Sequence, residues 1–206
     1  MAIMENQSST NPMPEINIDP QEVDEPRDWK AEFQQLFNSA VTRYQSGLRE
    51  ASLIFEEKDV EFLASIGASP SEIYDFVEDW SEVGEPSLET ILAITSIRYD
   101  YFVEEQQRMS SEFVQAPETF PADTLALGDF RWLPRIIAKA RAKLKGELPP
   151  EIMFSCGTDR PFLKKVGIAP EDFLKTVWEA GPNDQAILAR VEKAAKKVNQ
   201  SVRKGE

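Results

Sequence analysis

The sequence predicts a mainly α-helical chain, a tandem duplication of a small four-helix domain, and three observations carry that prediction. First, residues recur at a spacing of 100 positions: Phe62-Leu63 falls on Phe162-Leu163, Ile66-Gly67 on Val166-Gly167, Pro70 on Pro170 and Val77 on Val177. Second, apolar residues return every three or four positions in most segments, which is the helical period. Third, helix-start and helix-stop signals such as Ser69-Pro70 and Gly84 stand between those segments.

Residues 1–27 are rich in Ser, Asn, Pro, Glu and Asp without periodicity and read as a disordered acidic tail. The first repeat is expected over 28–109. Asp28 is a usable N-cap for a helix with Trp29, Phe33, Phe37, Ala40, Val41 and Tyr44 on one stripe, ending at Gly47. The run Ala51–Phe55 reads either as a strand or as a buried extended loop. Helical spacing resumes over 58–66 and stops at Gly67. Ser69 as N-cap, Pro70 at the first helical position and Glu72 in the first turn start the next helix, which carries Ile73, Phe76, Val77 and Trp80. Ser87 caps a long helix with Leu88, Ile91, Leu92, Thr95, Tyr99 and Phe102.

Pro117 and Pro121 mark residues 110–125 as a linker. The second repeat, 126–200, follows the same plan. Asp129 is the expected cap of a helix over 130–145, with Pro134 tolerable only in its first turn. Helices are expected over 158–167, 170–180 and 184–200, and a polar tail over 201–206. The runs at 51–55 and 151–155 are candidates to pair as a minimal β-ribbon, a point that short apolar runs leave open.

Charge divides the chain. Residues 126–206 hold 16 basic and 10 acidic side chains, a net of +6, whereas 1–125 hold 7 and 26, a net of −19. Either the two halves attract each other or the basic half faces an anionic ligand. A single cysteine excludes an intrachain disulfide and suits a reducing cytoplasm. The first residues have neither a basic nor an apolar region of signal-peptide type, and no apolar stretch approaches a membrane span. No histidine occurs, which removes histidine acid–base catalysis, Ser-His and Cys-His nucleophiles and histidine-ligated metals. No cofactor is implied.

The helix over 131–145 is the most informative segment. Arg131, Arg135 and Lys139 form one stripe, and Arg141 borders the apolar face made by Leu133, Ile136, Ile137, Ala140 and Leu144. A guanidinium at a core edge needs a partner, either a carboxylate such as Asp159 or an anionic ligand. Arg135, Lys139, Arg141 and Asp159 are therefore the candidate binding residues. Cys156 stands just before a helix whose cap candidates are Thr158 and Asp159. A helix N-terminus favours anions, thiolates included, so Cys156 is a weak candidate nucleophile beside the plainer reading of a small apolar residue.

The motifs Leu127-Gly128, Leu133-Pro134-Arg135, Lys139-Ala140-Arg141, Cys156 with Asp159, and Gly167-Ile168 stand in one order. Together they resemble the bacterial family called domain of unknown function 5069, over about residues 125–195. The resemblance implies a small helical cytoplasmic domain and no activity. The first repeat, over about 28–105, departs from the pattern: Gln35, Ser39 and Val41 stand at the offsets of Arg135, Lys139 and Arg141, no thiol matches Cys156, and only Asp59 matches Asp159.

The leading expectation is a non-enzymatic binding or interaction module with a phosphate or carboxylate site in the second repeat; its partner is an anionic small molecule or another protein. A thiol-dependent enzyme or redox sensor using Cys156 is the alternative. A nucleic-acid binder acting through the 131–145 helix is a third reading, set against the overall acidity; no membrane partner is expected.

Overall fold

The computed structural model describes residues 28–204. The expected acidic tail at 1–27 lies outside the described residues, as do the last two residues of the expected polar tail. Nine α-helices are present among the described residues, with one short hairpin.

The helices of the first half are α1 (Trp29–Gln45), α2 (Ala51–Ile54), α3 (Glu57–Ser65), α4 (Pro70–Val83) and α5 (Leu88–Glu104). Their starts follow the sequence signals. The Asp28 carboxylate accepts from the Ala31 N–H at 3.4 Å. Ser69 Oγ accepts from the Glu72 N–H while the Glu72 carboxylate accepts from the Ser69 N–H, each at 3.3 Å, a reciprocal cap. Ser87 Oγ accepts from the Thr90 N–H at 3.2 Å. The predicted stripe of α1 is the one that is buried: Phe33, Phe37, Ala40, Val41 and Tyr44 face α4 and α5.

The second half holds β1 (Ala126–Leu127), β2 (Phe130–Arg131), α6 (Leu133–Lys145), α7 (Asp159–Val166), α8 (Pro170–Ala180) and α9 (Asp184–Lys204). The ribbon is not where the sequence placed it. Ala51–Ile54 closes a helical turn, and residues 151–155 form turns without strand pairing. Leu127 pairs instead with Phe130, and Ala126 with Arg131, around the turn Gly128-Asp129 with Gly128 at φ 57°. Asp129 is thus a turn residue, and Phe130 and Arg131 are strand rather than helix. A glycine able to take positive φ decides where a tight hairpin forms, whereas a short apolar run alone does not. Pro134 is the second residue of α6, where its missing N–H costs nothing. At the other end α9 runs to Lys204, past the expected limit at 200.

Two glycines end equivalent-looking turns. Gly67 after α3 and Gly167 after α7 have φ of 70° and 72°. A Cβ there would lie 2.6 Å from Phe102 Cγ of α5 and 2.4 Å from Val198 Cγ2 of α9, respectively. Each glycine therefore reverses the chain and lets the long final helix of its half approach the backbone.

The halves share one core. α5 lies against both α6 and α8, and buried residues of all the longer helices form one continuous cluster. Oppositely charged groups cross the seam. Lys143 reaches Glu72 at 3.2 Å, and Arg160 reaches Asp79 at 2.7 Å and Glu85 at 3.7 Å. The Trp178 indole N–H donates to Glu105 at 3.1 Å. The segment over 110–125 is docked rather than loose: the Gln115 N–H donates to Glu147 O at 3.0 Å, and Phe120 is buried. No described helix is long and apolar enough to cross a membrane.

Candidate functional site

Three elements of the second half converge on the Asp159 carboxylate. α6 begins after Trp132, a non-glycine residue at φ 76°. That backbone angle, which costs roughly 1–3 kcal/mol in a residue with a Cβ, turns the indole down along the first two turns of α6. Lys139 lies seven residues on, so it shares the face of Trp132. Its ammonium stands 5.2 Å from the indole ring centre.

Asp159 opens α7 and is fully buried. Its Oδ1 accepts from the Trp132 indole N–H at 2.7 Å and from Lys139 Nζ at 3.1 Å. Its Oδ2 accepts from Lys139 Nζ at 3.1 Å, the Ser155 N–H at 2.9 Å and the Cys156 N–H at 3.4 Å. The carboxylate thereby ties the loop that precedes α7 to the first residue of that helix. Thr158 makes no side-chain cap. A buried ion pair withstands desolvation only when its remaining hydrogen-bonding capacity is met, and here it is.

Ser155 holds the corner. It is buried at φ 66°, its carbonyl accepts from Arg160 Nη1 at 2.8 Å, and its hydroxyl has no partner. The bend turns the next residue, Cys156, toward the edge of the cluster. Its Sγ lies 3.2 Å from Lys139 Nζ and the side chain is partly exposed. The sulfur is the nucleophilic atom at the solvent edge of an otherwise closed cluster of charges.

The sequence candidates are brought together only in part. Lys139 and Asp159 meet each other and Cys156. Arg135 donates instead to Pro121 O at 2.7 Å, with its guanidinium 5.7 Å from the Trp132 ring centre. Arg141 donates to Gly181 O at 2.7 Å and pairs with Asp184 at 2.6 Å. Its expected bond to Asp159 is replaced by that of Lys139, whose flexible stem reaches the buried carboxylate from the same helix. The basic side chains of α6 also do not present one surface: Lys139 and Lys143 are buried.

Two residues that matter here escaped the sequence reading. Trp132 was not singled out, although its position seven residues before Lys139 puts both on one face. Lys143 was hidden in the basic composition of the helix, yet it crosses to Glu72. In the first half Arg43 stands beside Asp59, the residue 100 positions before Asp159. Its Nη1 donates to Asp59 Oδ2 at 3.0 Å and also to the Ile54 carbonyl, while Asp59 Oδ2 accepts from the Glu56 N–H at 3.0 Å. No thiol is present there. Among the described residues no group of three or more Cys, Asp or Glu side chains is arranged to hold a metal ion.

Residues 118–204 match the family model of a domain of unknown function, DUF5069, a stretch that contains the whole Trp132–Lys139–Ser155–Cys156–Asp159 cluster. No curated protein and no solved structure matches the chain.

Proposed function

We propose that the DUF5069 portion is a thiol-based redox sensor whose reactive atom is Cys156 Sγ, braced by the first half as a degenerate copy that has lost the thiol. The observation that carries this reading is the 3.2 Å contact between Lys139 Nζ and Cys156 Sγ. Lys139 is fixed by Asp159, so its charge is set in place before any reaction and needs no reorganisation. The cluster offers no second thiol and no histidine for turnover, which favours a stoichiometric sensor over an enzyme. A reducing cytoplasm, where such a thiol stays reduced until challenged, fits the single cysteine.

The step is simple. The sulfur attacks one oxygen of hydrogen peroxide, the O–O bond breaks, and Cys156 becomes a sulfenic acid while hydroxide leaves and takes a proton to form water. Sulfur is oxidised and peroxide reduced. A small cellular thiol then attacks the sulfenic sulfur, expelling water and leaving a mixed disulfide.

The test is intact-mass analysis of the full chain after peroxide, with dimedone as the sulfenic-acid trap. The reading expects one dimedone adduct per chain, absent in Cys156→Ser. A chain that gains no adduct while an unfolded control does so would overturn it.

A further inference from the structure

We propose that the cavity at the junction of α5, α6 and α8 binds a small aromatic monocarboxylate. The cavity measures about 450 Å³ and opens between Tyr101, Arg141, Leu144, Lys145, Val177 and Trp178. That volume lies in the range of small-molecule sites. It is independent of the Cys156 reading, since none of the thiol cluster lines it.

Its chemistry has three parts. The first is a pair of cations. Arg141 and Lys145 stand one turn apart on the same face of α6, where like charges repel. Among the described residues Lys145 Nζ has no hydrogen-bond or ion-pair partner, and Arg141 spends only Nε and Nη2 on Gly181 and Asp184, leaving Nη1 free. An anion placed between them relieves the repulsion. Arg141 is also held stiffly by its protein partners, so less side-chain entropy is lost on binding.

The second part is an oriented aromatic wall. The Tyr101 and Trp178 rings meet edge to face, 5.5 Å apart at 67°. Glu105 fixes the Trp178 indole through its N–H at 3.1 Å. Leu144 and Val177 supply a dry apolar floor behind them. A planar ring stacks or edges on such a wall far better than a fully polar ligand does.

The third part sets the charge. Glu105 also lines the cavity. A carboxylate brings one negative charge near Glu105 and a phosphate dianion brings two, so the dianion meets the greater repulsion. This selects a monoanion with an aromatic body over inorganic phosphate or a phosphate monoester. The half-to-half position means the ligand touches both α5 and α6, so its binding also bridges the two halves.

The experiment is calorimetric titration of the full chain with naphthoate, its neutral analogue naphthalenemethanol, and inorganic phosphate. Each is repeated on Lys145→Gln, on Trp178→Leu and on Cys156→Ser. Lys145 is exposed and unpaired, so Lys145→Gln keeps the fold, which a melt confirms. Naphthoate should bind the wild type, and Lys145→Gln should weaken it about tenfold or more, as the loss of one charge-assisted contact requires. Trp178→Leu should weaken it as well, and Cys156→Ser should leave it unchanged. Naphthalenemethanol binding as tightly as naphthoate, phosphate binding as tightly, unaltered affinity in Lys145→Gln, or no heat with naphthoate at millimolar concentration would each overturn the proposal. The Cys156→Ser arm separates this outcome from any failure of the thiol reading.

Discussion

Lys143 of α6 and Glu72 of α4 form an ion pair across the seam between the halves, 3.2 Å apart and almost wholly removed from solvent, with side-chain exposures of 2% and 9%. The Lys143 ammonium also lies 5.6 Å from the Phe76 ring centre. Such a pair adds little over apolar residues of the same volume, but breaking it strands a charge. Lys143→Met should therefore destabilise the chain by about 3–5 kcal/mol, because Glu72 is left buried beside Phe76. The double replacement Lys143→Met with Glu72→Gln, which keeps an amide able to cap Ser69, should recover most of that loss. Urea unfolding of the single and double variants measures both.

Arg98 of α5 makes the opposite case. It is 1% exposed, packs over the Phe102 ring at 5.2 Å, and leaves Nε and Nη1 without partners. Burial lowers its pKa, with the nearby Glu72 opposing. Desolvation here is not offset by hydrogen bonds. Arg98→Met keeps the stem packing and removes a buried charge whose hydrogen-bonding capacity is unmet. It should cost less than about 1 kcal/mol or stabilise the protein, in contrast to Lys143→Met. Urea midpoints of the two methionine variants, taken side by side, decide the point.

Asp75, one turn along α4, gives a pH dependence with a definite sign. Burial is the main cause that raises its pKa to about 7, helped by Glu72, Glu78 and Asp79 and opposed by Lys143 of α6. The folded value exceeds the ordinary 3.8, so the neutral form is favoured by folding. That stabilisation is complete below about pH 4 and is lost as pH rises through about pH 7. Asp75→Asn, which cannot ionise, should match the wild type at acid pH and melt higher than it by about 5–15 °C above neutrality. Melts across that range test it; a difference that stays constant with pH assigns the effect to packing instead.

Local signals were legible where one residue type satisfies one backbone need. Asp28, Ser69 with Glu72, and Ser87 each cap the helix the sequence placed after them, and Gly67 and Gly167 end theirs. The stripe of α1 was legible because periodicity reports burial, whereas that of α5 was legible in part: Ile91, Thr95 and Phe102 are buried, Leu88, Leu92 and Tyr99 only half so, and the buried Ile94 and Arg98 lay off it. The ribbon was misplaced because pairing depends on a tight turn and a partner strand, which the apolar runs at 51–55 and 151–155 do not supply. The site was half legible. Lys139, Cys156 and Asp159 were singled out by residue type, but the partner of Arg141 was left between a carboxylate such as Asp159 and an anionic ligand, and it is Asp184 with Gly181 O. Which cation reaches a buried carboxylate is a matter of side-chain direction along α6 and of the positive φ at Trp132, neither of which a residue list encodes.

The contact between Lys139 and Cys156 makes the most direct prediction. The sulfur is the attacking atom, and the Lys139 Nζ stands 3.2 Å from it, fixed in place by Asp159. Lys139→Met removes the charge but keeps the length of the stem, so iodoacetamide should modify Cys156 about tenfold more slowly, a difference of roughly 1.4 kcal/mol in activation free energy. The same change strands the Asp159 carboxylate, which retains the Trp132 indole N–H and the Ser155 N–H at 2.7 and 2.9 Å. A loss of about 3–5 kcal/mol in stability should accompany the slowing. Combining Lys139→Met with Asp159→Asn removes both buried charges and should return much of the stability without returning the reactivity. Alkylation rates and urea midpoints on the single and double variants separate the two effects. If the double variant recovers its rate along with its stability, the slowing came from a loosened corner at Ser155, and Lys139 does not act on the sulfur.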